Sequence, residues 1–160
     1  MTTRKSVIAK VTWLAALVCF LILVQPSFAD EREKLLGVWK LVSWEREIIE
    51  TGKRNPHPNL GKNATGYLIF TSEGRMMALI TGEGRLGLTG DALNVSMYAY
   101  SGKYELKDDK WITKVDAAWN PGWVGTNQMR SFKFDADRLV VITGTGRGER
   151  DIITWEKEKD

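Results

Sequence analysis

The sequence predicts an all-β domain, and two observations support this prediction. From Leu35 onward the chain is a succession of short apolar or alternating runs with turn residues between them, a pattern typical of a β-sandwich or a β-barrel. Several of the links hold only three or four residues and are rich in Asp or Gly, so neighbouring runs are expected to pair as antiparallel hairpins. The eight predicted strands are residues 37–47, 66–71, 75–81, 98–106, 111–118, 128–134, 139–143 and 151–156.

The segments between the strands are predicted from their turn and cap residues. Residues 31–36 are expected to form one helical turn, which Gly37 ends. The long connection 51–65 contains two prolines, and the glycine-rich connection 85–97 is expected to hold a short helical turn capped by Asp91. The tight hairpin links are residues 72–74, 107–110 and 135–137.

Residues 1–29 have the three parts of a secretory signal, namely a basic start, an apolar run and a small-residue cleavage site. The apolar run, residues 11–24, is shorter than the roughly 20 residues that a membrane-spanning helix needs. We therefore expect cleavage after Ala29 and export of residues 30–160 as one domain, to the periplasm or out of the cell. The alternative is an uncleaved N-terminal anchor.

The charge distribution argues against a nucleic-acid-binding protein. The formal net charge of +3 comes from Arg4, Lys5 and Lys10, because residues 1–29 contain no acid. Residues 30–160 are neutral and have no basic excess with which to bind phosphates. We expect neither a nucleic-acid partner nor stable membrane insertion once the signal is removed.

Cysteine and histidine content limits the chemistry of the predicted domain. Cys19 is the single cysteine and lies within the signal, so no disulfide, cysteine nucleophile or cysteine metal ligand is expected after cleavage. The single histidine, His57, lies between two prolines and is expected in a surface loop. These residues cannot assemble a Ser-His-Asp triad or a usual transition-metal site, and we expect no cofactor and no metal.

Side chains alternate between the two faces of a strand, so each predicted strand has an inner and an outer set. Because the two phenylalanines of strand 128–134 belong in the core, Gln128 and Arg130 are expected to point inward with them. A buried charge needs a partner, so this pair indicates either an internal polar network or part of a ligand site. The three inward sets are Tyr98, Tyr100, Gly102, Tyr104 and Leu106; Trp111, Thr113, Val115 and Ala117; and Gln128, Arg130, Phe132 and Phe134.

Five motifs resemble the bacterial and fungal lipocalin-like domain family, in family order and over almost all of residues 30–160. The resemblance implies an eight-stranded antiparallel barrel with a central cavity. It also implies that Trp39 plugs the closed end, with Arg150 stacked over it. One departure is Lys114, where a histidine is expected in many members, and this argues against an acid–base role there. The motifs are residues 35–43 with Gly37-x-Trp39, 66–71 with 74–76, 99–104, Asn120-Pro121-x-Trp123-x-Gly125-Thr126-x-Gln128-x-Arg130, and Trp155-Glu156.

The inward polar residues are the predicted ligand site. An apolar pocket with a few convergent polar groups is the usual composition of a small-molecule site. The alternative is a satisfied hydrogen-bond network inside a filled barrel. Trp123 and Trp119 flank a Pro-Gly turn. Trp123 is expected either to stack on a ligand at the barrel mouth or to cover the end of the core. The predicted ligand-binding residues are Tyr67, Tyr100, Tyr104, Trp123, Gln128 and Arg130.

Three functions are compatible with these features, and the fold alone does not separate them. The first is an exported binding protein for a small, mostly apolar or amphipathic molecule, whose anionic head group would suit Arg130. The second is an enzyme of the isomerase or cyclase type, with Tyr104 or Asp116 as acid or base, although Asp116 is expected to face outward. The third is a structural envelope protein with a filled core.

Overall fold

The computed structural model describes residues 28–159, and the signal predicted for residues 1–29 lies almost entirely outside this range. The described chain consists mainly of antiparallel strands with two short helices. Neither helix has the length and apolar character that a bilayer crossing requires. The elements are α1 (Phe28–Leu35), β1 (Gly37–Ile48), β2 (Lys53–Pro56), β3 (Thr65–Phe70), β4 (Arg75–Thr81), α2 (Gly90–Val95), β5 (Met97–Lys107), β6 (Lys110–Ala118), a 3-10 turn (Pro121–Trp123), β7 (Asn127–Asp135), β8 (Arg138–Gly146) and β9 (Glu149–Lys157).

Eight of the strands close into an antiparallel barrel, which confirms the predicted fold class. The order is β1-β3-β4-β5-β6-β7-β8-β9, and β9 pairs back with β1. The ninth strand, β2, pairs only with the last residues of β1, beyond the part that pairs with β3. Its sequence, Lys53–Pro56, has no alternation of apolar and polar residues, so the sequence does not predict this strand.

Two bulges change the face that residues present to the interior. In β1 the register with β9 shifts between Leu41 and Ser43, which turns Trp44 rather than Ser43 toward the core. In β6 the shift lies opposite Ser101 and Gly102. As a result Ala117 is exposed and the next residue, Ala118, packs against the core. The prediction that Ala117 faces inward is therefore wrong.

The other members of the three inward sets face the interior, as predicted. Asp116 faces outward, as expected, and pairs there with Arg75. The inner faces of all eight barrel strands meet in one apolar core. Its buried members include Trp39, Leu41, Leu68, Phe70, Met76, Ala78, Ile80, Tyr100, Tyr104, Trp111, Val115, Phe132, Leu139, Val141, Ile153 and Trp155.

Helix α1 covers the closed end of the barrel through Trp39. The Trp39 side chain is 2% exposed, and its indole Nε1 donates to the carbonyl of Leu35 at 2.8 Å. The cation over the Trp39 ring is Lys157, whose Nζ lies 5.3 Å from the ring centroid. The expected stacking of Arg150 is wrong, because Arg150 lies toward the other end of β9 and pairs with Glu47.

The opposite end of the barrel, the mouth, is covered by the segment between β1 and β3. We call this segment, residues 49–64, the strap. His57 in the strap is only 2% exposed, so the prediction of a surface loop histidine is wrong. The strap folds back because the His57 N–H donates to the carbonyl of Trp44 at 3.0 Å and His57 bridges to Gly61.

Helix α2 lies in the connection between β4 and β5, where the sequence predicted a helical turn. The residue at its N-terminal cap position is Thr89, with extended backbone angles. Asp91, the expected cap, is instead the second residue of the helix, where its carboxylate interacts favourably with the positive end of the helix dipole.

Candidate functional site

The barrel interior contains a partly open cavity of about 40 Å³. All eight barrel strands contribute to its wall, and the 3-10 turn after β6 adds one side chain from the mouth. Among the described wall residues, Arg130 alone carries a charge. The wall consists of Trp44, Leu68, Ala78, Ile80, Tyr98, Tyr100, Trp111, Trp123, Arg130, Val141, Ile153 and Trp155.

Arg130 and Tyr100 form the polar part of the wall. The guanidinium carbon of Arg130 lies 5.8 Å from the Tyr100 ring centroid, within the range of a cation–π interaction. The same guanidinium donates to the Met129 carbonyl at 2.8 Å and to Gln128 Oε1 at 3.2 Å. Burial raises the pKa of Tyr100, and the charge of Arg130 acts in the opposite direction. The Tyr100 hydroxyl is therefore protonated at neutral pH.

Arg130 has no ionic partner in the part of the chain that the structure describes. The ion pairs of residues 28–159 lie elsewhere on the barrel, and none of them includes Arg130. Its acceptors are a backbone carbonyl, an amide oxygen and the Tyr100 hydroxyl, all uncharged. The described residues therefore place no carboxylate beside the half-buried Arg130.

Three tryptophans of the wall have buried indole N–H groups without an acceptor. The Nε1 atoms of Trp44, Trp111 and Trp155 have no hydrogen-bond partner within residues 28–159. Trp39, which is buried outside the cavity wall, does have one, the Leu35 carbonyl. Buried polar groups are normally hydrogen-bonded. The unpartnered indoles are thus concentrated in the cavity wall.

An aromatic cluster covers the cavity on the side of the mouth. Trp123 packs edge-on against Tyr100 at 5.6 Å and against Trp119 at 6.0 Å between ring centroids, and lies over Tyr98 at 6.3 Å. The turn that carries Trp123 is held by the Asn120 side chain, which accepts from the Gly122 N–H at 2.9 Å. Trp123 therefore contributes both to the cover and to the cavity wall.

His57 joins the strap to the barrel beside this cluster. Its ring centroid lies 4.9 Å from that of Trp44 and 5.9 Å from that of Tyr98. Arg46 Nη2 lies 3.2 Å from His57 Nε2, and the Arg46 Nε donates to Asp151 Oδ1 at 2.9 Å. Burial lowers the pKa of His57 to about 4, with the Arg46 charge adding to the decrease and Asp151 opposing it. His57 is therefore neutral at pH 7.

The structure brings together three of the predicted site residues and places a fourth beside them, whereas Tyr104 lies elsewhere in the core. Tyr100, Trp123 and Arg130 line the cavity, and Gln128 lies behind Arg130 as its hydrogen-bond acceptor. Tyr104 is buried in the core toward the closed end, outside the cavity wall. Its hydroxyl has no hydrogen-bond partner among residues 28–159.

Tyr67 does not belong to this group, and the prediction that it faces inward is wrong. Its side chain is 42% exposed on the outer face of β3. The neighbouring residues Leu68 and Phe70 are 2% exposed and face the core. Because strand residues alternate, Tyr67 must point the other way.

Two wall residues, Trp44 and Trp155, were absent from the predicted site. Simple alternation from Trp39 and Leu41 places Trp44 outside, and only the β1 bulge turns it inward. Trp155 belongs to the last of the five motifs, which does not by itself give the direction of its side chain. Its position beside buried Ile153 in β9 is the signal that could have placed it in the interior.

The sequence matches the lipocalin-like domain family over residues 36–158. Among solved structures, a lipocalin-like protein from Bacteroides uniformis is 15% identical, with 78% of this chain and 99% of that chain covered and a TM-score of 0.42. The fluorescent protein UnaG is 14% identical, with coverage of 79% and 98% and a TM-score of 0.41. A redesigned β-barrel is 14% identical, with coverage of 80% and 95% and a TM-score of 0.42. No curated protein sequence matches this chain significantly.

Proposed function

We propose that this chain, which belongs to the lipocalin-like domain family, is an exported protein that binds a small, mostly apolar molecule in its barrel cavity. The observation that carries the proposal is the composition of the cavity wall. Aromatic and aliphatic side chains surround one charged side chain, Arg130, which lies beside Tyr100. Predominantly apolar walls with a few placed polar groups are characteristic of small-molecule sites. Export rests on the secretory signal predicted for residues 1–29.

The size of the cavity limits what it accepts without rearrangement. A volume of about 40 Å³ is enough for a group of about three non-hydrogen atoms, because one water needs about 10–15 Å³ on this measure. A drug-sized ligand needs about 300 Å³ or more. The body of a larger ligand must therefore displace part of the cover. Trp123 is the wall residue that lies on a turn rather than on a strand, so its movement disturbs the barrel least.

The small volume also favours a second candidate, a structural envelope protein whose core is filled.

The hypothesis of an enzyme with Asp116 as interior acid or base lacks geometric support, because this carboxylate pairs with Arg75 on the outer face. Binding and a filled core make different predictions for substitutions that change the interior volume.

The experiment uses a fluorescent apolar probe, N-phenyl-1-naphthylamine, and two matched alanine substitutions. Ala78 lines the cavity and is 4% exposed, so Ala78→Leu fills part of the interior. Ala117 is exposed on the outer groove formed by β4, β5 and β6, so Ala117→Leu makes the same change outside. We expect saturable binding to the native protein and to the Ala117 variant, and weakened binding to the Ala78 variant.

The opposite pattern, with binding lost only in the Ala117 variant, would place the site on the outer groove and refute the proposal. If the native protein neither binds the probe nor retains a molecule when purified from its own envelope and examined by native mass spectrometry, the filled-core function is favoured. Export is tested separately by N-terminal sequencing of the envelope protein, which should begin at Asp30.

A further inference from the structure

A second pocket, of about 240 Å³, lies on the outer surface of the barrel. Strands β2, β7, β8 and β9 form its wall, and it shares no wall residue with the interior cavity. We call it the β8–β9 pocket. Among the described residues, Asp135 is the single carboxylate of its wall. Four cations belong to the same wall, namely Arg54, Lys133, Arg138 and Arg150.

The floor of the β8–β9 pocket is apolar. Val140 and Ile142 alternate along β8 with Leu139 and Val141, which are buried in the core, so the side chains of the first two face outward. Ile142 lies opposite Ile152 in the pairing of β8 with β9, and both line the pocket. The pocket therefore combines an apolar floor with four cationic side chains.

The buried carboxylate of Glu47 holds two of these cations in place. Glu47 is 5% exposed, and its Oε1 accepts from Arg54 Nε at 3.0 Å while its Oε2 accepts from Arg150 Nε. Arg150 and then Arg54 lower the pKa of Glu47, so the carboxylate is ionised at neutral pH. Both hydrogen bonds use the Nε atoms, and both arginine side chains are partly exposed. Their terminal amino groups are therefore available to a further acceptor.

The other two cations have no ionic partner in the described part of the chain. Lys133 on β7 and Arg138 on β8 are exposed, and no ion pair within residues 28–159 includes either of them. Asp135 and Glu156 lie opposite Arg138 on the neighbouring strands without pairing with it. Four cations of the wall thus face the carboxylates of Asp135 and Glu47, which leaves a net charge of +2.

Beyond the proposed function and independently of the interior cavity, we propose that the β8–β9 pocket binds an organic phosphate ester. The anionic oxygens of a phosphate match the planar fork of a guanidinium, and a multivalent anion suits a wall with several cations. A phosphate group alone fills only part of the volume of about 240 Å³, since one water needs about 10–15 Å³ on this measure. The apolar floor then receives part of the organic substituent. A soluble phosphate ester and the headgroup of an anionic phospholipid share this chemistry.

The first experiment compares phenyl phosphate with benzoate, which carries the same ring and a single negative charge. At about pH 8 the phosphate ester is a dianion, because its second pKa is about 6. Binding is measured by titration calorimetry and located by the amide signals of ¹⁵N-labelled protein. We expect phenyl phosphate to bind about tenfold more tightly than benzoate and to shift the signals of Val140, Ile142 and Thr154. Equal affinities, or shifts confined to the wall of the interior cavity, would overturn the inference.

Two matched double variants test the role of the cations. Lys133→Gln with Arg138→Gln removes two exposed charges from the pocket and should weaken phenyl phosphate binding about tenfold. Lys103→Gln with Lys114→Gln removes two exposed charges that face each other on β5 and β6, and should leave the affinity within about twofold. Equal losses in both variants would mean that only the overall charge acts, and would overturn the inference. The probe comparison on the native protein needs no variant.

A second experiment distinguishes the two sources of the phosphate by sedimentation with lipid vesicles. Binding to phosphatidylglycerol vesicles and not to phosphatidylcholine vesicles, lost in the Lys133/Arg138 double variant, assigns the phosphate to a lipid headgroup. Binding of phenyl phosphate without vesicle binding assigns it to a soluble ester. If the native protein binds neither phenyl phosphate nor phosphatidylglycerol vesicles, the inference is overturned. N-phenyl-1-naphthylamine should bind both double variants as it binds the native protein, so this failure leaves the proposed function intact.

Discussion

Acidification should destabilise this protein through His57, and the arrangement around the imidazole explains why. One ring nitrogen, Nε2, faces the Arg46 guanidinium at 3.2 Å, and the other, Nδ1, faces the backbone N–H of Asn59 at 3.3 Å. Both neighbours are donors. A neutral imidazole has one acceptor nitrogen and matches one of them, whereas an imidazolium has none and matches neither. Proton uptake therefore opposes the packing of the strap against Trp44 and Tyr98.

The size of this destabilisation follows from the difference between the pKa of His57 in the folded and in the unfolded state. Burial lowers the pKa of His57 from 6.5 to about 4 in the folded protein. Between these values the unfolded chain binds more protons, so the stability falls as the pH decreases from 6.5 toward 4. At about pH 5 the loss relative to about pH 8 amounts to about 2 kcal/mol. Other groups near His57 are Arg46, Asp151 and Tyr98, and the Asp151 carboxylate reduces the loss slightly.

The assay is urea unfolding at about pH 8 and about pH 5 for the native protein and for His57→Phe. Phenylalanine keeps an aromatic ring against Trp44 and Tyr98 but cannot take up a proton. His57 is the single histidine of the sequence, so few other side chains titrate in this range. The native protein should lose about 2 kcal/mol more than the variant between the two pH values. Equal losses in both proteins would refute the reasoning.

Three substitutions away from the cavity test the account of the fold, each by urea unfolding monitored by circular dichroism. Gly102→Ala places a Cβ against a backbone carbonyl oxygen of the facing strand β6. The substitution should lower the free energy of unfolding by at least about 3 kcal/mol. A loss below about 1 kcal/mol would contradict the close approach of the two strands. Trp39→Phe leaves the Leu35 carbonyl without its donor and should cost about 1–3 kcal/mol, and no change would mean that this bond is not formed in solution. Asp116→Asn breaks an exposed pair with Arg75 and should cost less than about 1 kcal/mol; a larger loss would show that the pair is part of a wider network.

The strands of the barrel were predictable because their signal is local. Alternation of apolar and polar residues and the turn residues between runs depend only on neighbours in the chain. Residues 75–81 were predicted as a strand and form β4 with the same bounds. The other predicted strands differ from the structure by a few residues at their ends, where pairing with a neighbour extends the hydrogen bonding beyond the apolar pattern.

Part of the site was predictable for the same reason. Tyr100, Gln128 and Arg130 share the inner face with buried aromatic residues, so alternation indicated their direction. Trp44 and Tyr67 were not predicted correctly. The direction of Trp44 depends on a bulge that arises between β1 and β9, and Tyr67 was included for its hydroxyl although Leu68 beside it is the inward residue.

By itself, the sequence determined an all-β chain of eight main strands and the inward direction of Arg130. The tertiary structure alone decided that His57 is buried, that Lys157 rather than Arg150 covers Trp39, and that Trp44 enters the cavity wall. The physical reason is the range of the interactions. Alternation is set by the backbone of each strand, whereas the strap, the bulges and the cavity depend on contacts between residues that are distant in the chain.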